Sequence, residues 1–140
     1  MKSLLISVLF CLPLKHLTLT SPYGYRIHPV TGQYQFHNGI DLRADRDTVY
    51  AVFDGAASVK YDKLLGLSVS ISGNDLTCIY GHLSALLTNG GEVSAGQPIA
   101  LTGSTGRVTG EHLHFSVRYK NQFIDPLKFL NALFNQKNHE

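Results

Sequence analysis

Residues 111–119, EHLHFSVRY, alternate with a period of two that only a β-strand explains. His112, His114, Ser116 and Arg118 fall on one face, and Leu113, Phe115, Val117 and Tyr119 on the other. The second face is apolar enough for a core; the first carries chemistry. Imidazoles at i and i+2 of a strand sit roughly 6–7 Å apart at Cα, so His112 and His114 can look into one site without having to bind the same ion. A strand of this kind needs a sheet around it.

The remainder of the chain supplies one. In 140 residues, 13 Gly and 5 Pro punctuate short runs of Val, Ile, Leu, Tyr and Phe, with no Trp. That pattern predicts a mostly β, single-domain fold of antiparallel sheets with an open substrate groove and a short C-terminal helix. A formal net charge of +2, with no basic run interleaved with aromatics, excludes nucleic acid as the expected partner. Two cysteines, Cys11 and Cys78, make no disulfide framework, and Cys78 reads as a small buried hydrophobe. Residues 1–16 resemble an export signal: Lys2 precedes an apolar run, Leu4 to Leu14, too short to span a bilayer. Lys15 and His16 stand where small residues would mark cleavage, so no cleavage point is assigned; the other reading is a first strand or helix of the domain.

The segment TLTSPYGYRIHPVT, residues 18–31, holds turn formers at Ser21-Pro22 and Tyr23-Gly24, and Pro29 restricts His28 to an extended backbone. It reads as a shaped loop whose Arg26 and His28 line a cleft. In a straight strand His37 and Asp41 of FHNGID would lie roughly 13 Å apart, so Asn38-Gly39 must bend the chain to bring the imidazole and the carboxylate together. One hairpin is expected from residues 49–53 and 56–61 around Asp54-Gly55, and a second from 67–71 and 76–80 around residues 72–75. His82 of YGHLS then falls where the second hairpin leaves the sheet. The glycine-rich stretch TGSTGRVTG lacks the spacing of a nucleotide loop. It reads as a wall beside the 112–118 strand, with backbone groups, those of Thr105 and Gly106 among them, free to pair with an extended peptide. Asp125-Pro126 makes an N-cap and N1 pair for a helix carrying Leu127, Leu130 and Phe134.

The segments SPYGYRIHPVTG, FHNGIDL, YGHLS and GSTGRVTGEHLHFSVR resemble, in order, those of the lysostaphin/LytM-type zinc metalloendopeptidases that cut peptidoglycan peptides. The likeness covers Leu17 to Leu130 and implies a peptidase domain over residues 17–135, followed by a tail over 136–140. It implies one zinc ion per chain, held by His37, Asp41 and His114, with His82 and His112 as non-ligand catalytic histidines. Arg26, His28, Thr105 and Gly106 are the expected substrate contacts. Two neutral imidazoles and one carboxylate leave a tetrahedral zinc with an open position, the arrangement of a catalytic site. None of the three glutamates suits the proton-transfer role: Glu92 sits at a turn, Glu140 at the terminus, and Glu111 faces away from both histidines of the key strand. That role falls to His112 or His82; His112 is assigned as general base and His82 as stabiliser of the oxyanion.

Asp47-Thr48 and Leu67 depart from the family's usual residues at two turns outside these five positions. The implied substrate is the peptidoglycan stem peptide, with D-alanyl–diaminopimelate bridges favoured over glycine bridges. The implied location is exported, in the periplasm or cell envelope. The chain is expected to act as a monomer, its groove governed by location or by a regulatory or envelope-machine protein partner. The alternatives are a non-catalytic peptidoglycan-binding or amidase-activator domain of the same fold, and a lipoyl-like carrier suggested by EVSAGQPIALTG, which lacks a lysine on a hairpin tip.

Overall fold

The computed structural model describes residues 10–138, in which twelve strands precede one helix. The strands are β1 (Leu19–Ser21), β2 (Gly24–Ile27), β3 (Tyr34–His37), β4 (Ile40–Arg43), β5 (Thr48–Tyr50), β6 (Gly55–Asp62), β7 (Gly66–Gly73), β8 (Leu76–Leu86), β9 (Gly91–Val93), β10 (Pro98–Thr102), β11 (His112–Tyr119) and β12 (Gln122–Ile124), and the helix is α1 (Pro126–Asn138). The main sheet is antiparallel and runs β1-β4-β11-β8-β7-β6-β9; β10 joins it between β5 and β8, and β12 lies on β11. The pair β2–β3 forms a separate ribbon.

The alternating strand occupies the middle. β11 lies between β4 and β8, with Leu113, Phe115 and Val117 fully buried against a core that includes Ile40, Leu42, Val69 and Tyr80. Burying each such side chain stabilises the fold by about 1.5–3 kcal/mol before chain entropy is subtracted. Tyr119, on the same face, lies past the end of the core and is 47% exposed.

The β7–β8 hairpin forms as its sequence predicts. Asn74 and Asp75 close it with φ of 52° and 68°, the left-handed pair whose twist matches that of the flanking strands. The hairpin expected from residues 49–53 and 56–61 does not form: β5 pairs with β10, and β6 with β7 and β9. Val49, Ala51, Val52 and Phe53 are all buried, so this run crosses the core instead of lying half-solvated in a hairpin. Its backbone is satisfied there, Ala51 N–H by the Gln97 carbonyl and Val52 N–H by the Tyr80 hydroxyl.

Within the stretch expected as an export segment, residues 10–14 lie against this core, while residues 1–9 fall outside the described residues. Leu14 is buried, Cys11 N–H donates to the Val52 carbonyl, and Tyr50 N–H donates to the Pro13 carbonyl. At the other end Asp125 caps α1, its Oδ1 accepting from Leu127 N–H at 3.0 Å. Leu130 alone of the expected apolar trio is buried; Leu127 and Phe134 are exposed, and Phe129 and Leu133 share the packing. The helix continues to Asn138, so the expected tail begins inside it. No described helix is long and apolar enough to cross a membrane.

Candidate functional site

Three strands deliver the polar side chains. His37 ends β3, Asn38-Gly39 reverses the chain, and Asp41 on β4 pairs in register with His114 on β11. The bend closes the gap between His37 Nε2 and Asp41 Oδ1 to 3.3 Å. Gly39 makes this possible, because a Cβ there would come within 2.7 Å of the Phe115 carbonyl and 2.8 Å of the His114 ring.

His37, Asp41 and His114 are all buried, and each offers one ligand atom within 4.8 Å of the others'. His37 Nδ1 donates to the Pro22 carbonyl at 2.9 Å, which leaves Nε2 as the lone-pair nitrogen facing Asp41. His114 Nδ1 lies 3.3 Å from the same carboxylate oxygen. Burial opposes ionisation of Asp41, but hydrogen bonding to His114 and the close approach of the His37 and His112 rings outweigh it and hold the carboxyl well below the usual range. Burial also lowers the pKa of His114. Two imidazoles and one ionised carboxylate, with His37 oriented from outside by a backbone carbonyl, fit a divalent zinc ion.

Two further rings stand beside this trio. β8 does not end at His82 as its sequence suggests. It carries one extra residue there, since Leu67–Val69 on β7 spans what Tyr80–Leu83 spans on β8. At this bulge His82 adopts φ 62°, its N–H donates to the Leu65 carbonyl, and its Nδ1 donates to the Thr105 carbonyl at 2.7 Å. His112 Nδ1 donates to the Gly110 carbonyl at 3.2 Å, and its Nε2 lies 3.4 Å from Asp41 Oδ1. The His82 and His112 ring centres are 4.9 Å apart. Burial, opposed by the Thr105 hydrogen bond and aided by His112 and His114, pushes the His82 pKa down to about 4.

All five residues open onto a groove of about 480 Å³. Arg26 and His28 line it, although Arg26 does so from strand β2 and not from the loop expected over residues 18–31. Thr105 and Gly106 do not: Thr105 Oγ1 accepts from Leu67 N–H at 3.0 Å and donates to the Leu83 carbonyl at 2.7 Å, while Gly106 packs so closely that a Cβ would come 2.4 Å from Gly66 N. That wall of the groove is made by Arg107, Val108 and Thr109. Sequence reasoning passed over Arg107; its only signal was a single cation in a loop of small residues. Glu111 faces away, its Oε2 accepting from Thr102 Oγ1 and Arg46 N–H.

Residues 35–126 match the profile of Peptidase family M23. The DD-carboxypeptidase/endopeptidase Mpg of Neisseria meningitidis serogroup B is 40% identical over 118 residues, which cover 82% of this chain and 27% of the relative. The chain thus spans about a quarter of the length of that curated relative. Among solved structures, a zinc containing peptidase from Vibrio cholerae superposes with a TM-score of 0.76 at 37% identity, covering 84% of this chain and 39% of that one. The catalytic domain of lysostaphin from Staphylococcus simulans gives a TM-score of 0.72 at 28% identity, covering 82% and 92%.

Proposed function

The chain belongs to peptidase family M23, and from that premise we propose that it is a zinc-dependent endopeptidase hydrolysing peptide cross-links of bacterial peptidoglycan, of the D-alanyl–diaminopimelate type. The observation that carries this reading is the convergence of one donor atom each from His37, Asp41 and His114 within 4.8 Å, at the floor of a groove that also holds His82 and His112. The names of the Neisseria relative and of the Vibrio structure, one for endopeptidase activity and one for zinc, support the reaction type and the metal.

In this reading His37, Asp41 and His114 hold the zinc ion. When bound, zinc supplies Lewis acidity toward the scissile carbonyl and the attacking water. The chain's own work is to orient the ligands and to move protons. The neutral ring of His82 has its proton on Nδ1, committed to Thr105, so its Nε2 can only accept. The oxyanion role expected for His82 requires a protonated ring, which burial disfavours. His82 Nε2 therefore accepts the proton of the attacking water, the role that the sequence assigns to His112. His112, the more exposed ring, has its Nδ1 committed to the Gly110 carbonyl in the same way, so it acts as the imidazolium: it steadies the oxyanion from Nε2, gives that proton to the leaving amine, and is restored by the proton that the neighbouring His82 took from the water. All five side chains are in place, so the binding-only alternative draws no support from the site. The chain acts, in this reading, as an exported monomer in the periplasm or cell envelope, where cross-linked stem peptides are found.

The test is mass spectrometry of muropeptides from purified sacculi incubated with the full chain, with and without a chelator. Conversion of cross-linked dimers to monomers that the chelator abolishes and added zinc restores is the expected result. Folded, zinc-loaded protein that cuts no peptide bond would sink the endopeptidase reading.

A further inference from the structure

One end of the groove is cationic, and the activity proposed above does not use it. Arg26, on β2, is mostly buried. Its NH2 group lies 3.9 Å from Asp41 Oδ2, its NH1 makes only a 3.5 Å hydrogen bond to the Ile27 carbonyl, and its Nε is buried without a partner. A buried guanidinium nitrogen left unpaired is costly unless something occupies the space in front of it. Arg107 also lines the groove; its backbone N–H is tied to the Leu64 carbonyl, while its side chain makes no hydrogen bond or ion pair among the described residues. His28 lines the same groove, its Nδ1 accepting from Val30 and Thr31 N–H. Partial burial, together with the positive charges of Arg26 and Arg107, lowers its pKa, so both guanidinium groups project their field onto one spot.

The groove's own acids neutralise this end only in part, Asp41 standing 3.9 Å from Arg26. Asp41 is engaged by His37 and His114, and Asp62 accepts from the Leu64 and Leu65 N–H groups. Lys63, exposed on the same wall as Asp62, adds a further positive charge.

We infer that Arg26 and Arg107, which line the groove together with His28, form a subsite for a carboxylate of the bound peptide and make this groove selective for an anionic stem over a neutral one. This rests on the peptidoglycan reading above and specifies which chemical group is recognised. Guanidinium forks pair with carboxylates through two parallel hydrogen bonds, and a loosely paired Arg26 together with an unpaired Arg107 leaves donors for a ligand in the groove. A diaminopimelate-containing stem offers two sources, the free carboxylate of the diaminopimelate side chain and the C-terminal carboxylate of D-alanine.

The experiment measures binding of a diaminopimelyl-D-alanine stem tetrapeptide to the zinc-loaded full chain by calorimetry. It compares the free peptide with forms amidated at one carboxylate or the other, on the wild type, Arg107→Gln and Arg26→Lys. The wild type should bind the free peptide at least about tenfold more tightly than one of the amidated forms, the usual worth of a charge-assisted pair. The amidation that matters names the source. Both variants should bring that ratio close to one, Arg26→Lys because it keeps the charge and loses the fork; zinc content is read alongside because Arg26 neighbours Asp41. Equal affinities, no binding of any form, or a preference that survives both substitutions overturns the subsite. Turnover of a cross-linked dimer is followed in parallel. A carboxylate preference without turnover removes the endopeptidase reading and keeps the subsite, whereas turnover without preference does the reverse.

Discussion

The backbone carbonyl of Thr105 accepts a 2.7 Å hydrogen bond from His82 Nδ1, and the hydroxyl of the same threonine is tied to Leu67 N–H and the Leu83 carbonyl. One residue therefore anchors its loop to two strands and sets which nitrogen of His82 faces the groove. Thr105→Val leaves the Leu67 N–H and Leu83 carbonyl unpaired and should cost about 1–3 kcal/mol of stability. It should also lower kcat by roughly tenfold or more with little change in KM, because a proton-transfer ring that can turn loses its alignment. Thr105→Ser, which keeps the hydroxyl, should recover most of the rate. An equal loss in both variants would show that the hydroxyl does not position His82.

The two histidines of β11 should separate cleanly. His114→Ala removes a donor from the buried trio and should abolish zinc binding and turnover together. His112→Ala should keep zinc while kcat falls by roughly 10² or more. Metal analysis alongside muropeptide turnover checks both; zinc lost from the His112 variant and kept by the His114 variant would reverse the assignment.

Gly39→Ala should weaken zinc binding without touching any donor atom. The added methyl would meet the Phe115 carbonyl and the His114 ring, so either the turn or the ring has to move. Loss of ligand orientation of this kind costs roughly 10–100-fold in metal affinity, measurable by competition with a chromogenic chelator.

Alkaline pH should destabilise the protein through its core. Burial pushes the Cys78 thiol up from 9.0, and burial also raises the Tyr80 hydroxyl well above 10.0. Above about pH 9 the unfolded chain releases the Cys78 proton while the native chain retains it, so stability falls as pH rises, and falls faster past pH 10 as Tyr80 joins. Urea midpoints at pH 7.5 and pH 10 should show a smaller alkaline loss in Cys78→Ala than in the wild type.

How much of this was legible beforehand varies by residue. The β11 alternation was readable because a strand's two faces differ by one residue, and that rule needs no partner. His37 and Asp41 were readable as a pair because Asn-Gly bends a chain locally. The run from Val49 to Phe53 was misread because its Asp-Gly neighbour suggests a hairpin, whereas its strand partner, β10, lies some fifty residues further along the chain. Thr105 was placed on the groove because its loop is rich in small residues, and nothing local says that its hydroxyl is already occupied by β7 and β8.

By itself, then, the sequence determined the mostly β class, the central strand, the turns and the five polar residues that meet, because each depends on periodicity, on local backbone preference or on motifs carried in order along the chain. Only the tertiary structure decided how those five are oriented and what surrounds them. The bulge that turns His82, the carbonyls that choose the free nitrogen of His37 and His82, the inward placement of Thr105 and the opening of Arg26 and Arg107 onto one groove all arise where distant segments pack together. Their energies come from hydrogen bonds and burial that exist only once the sheet has closed.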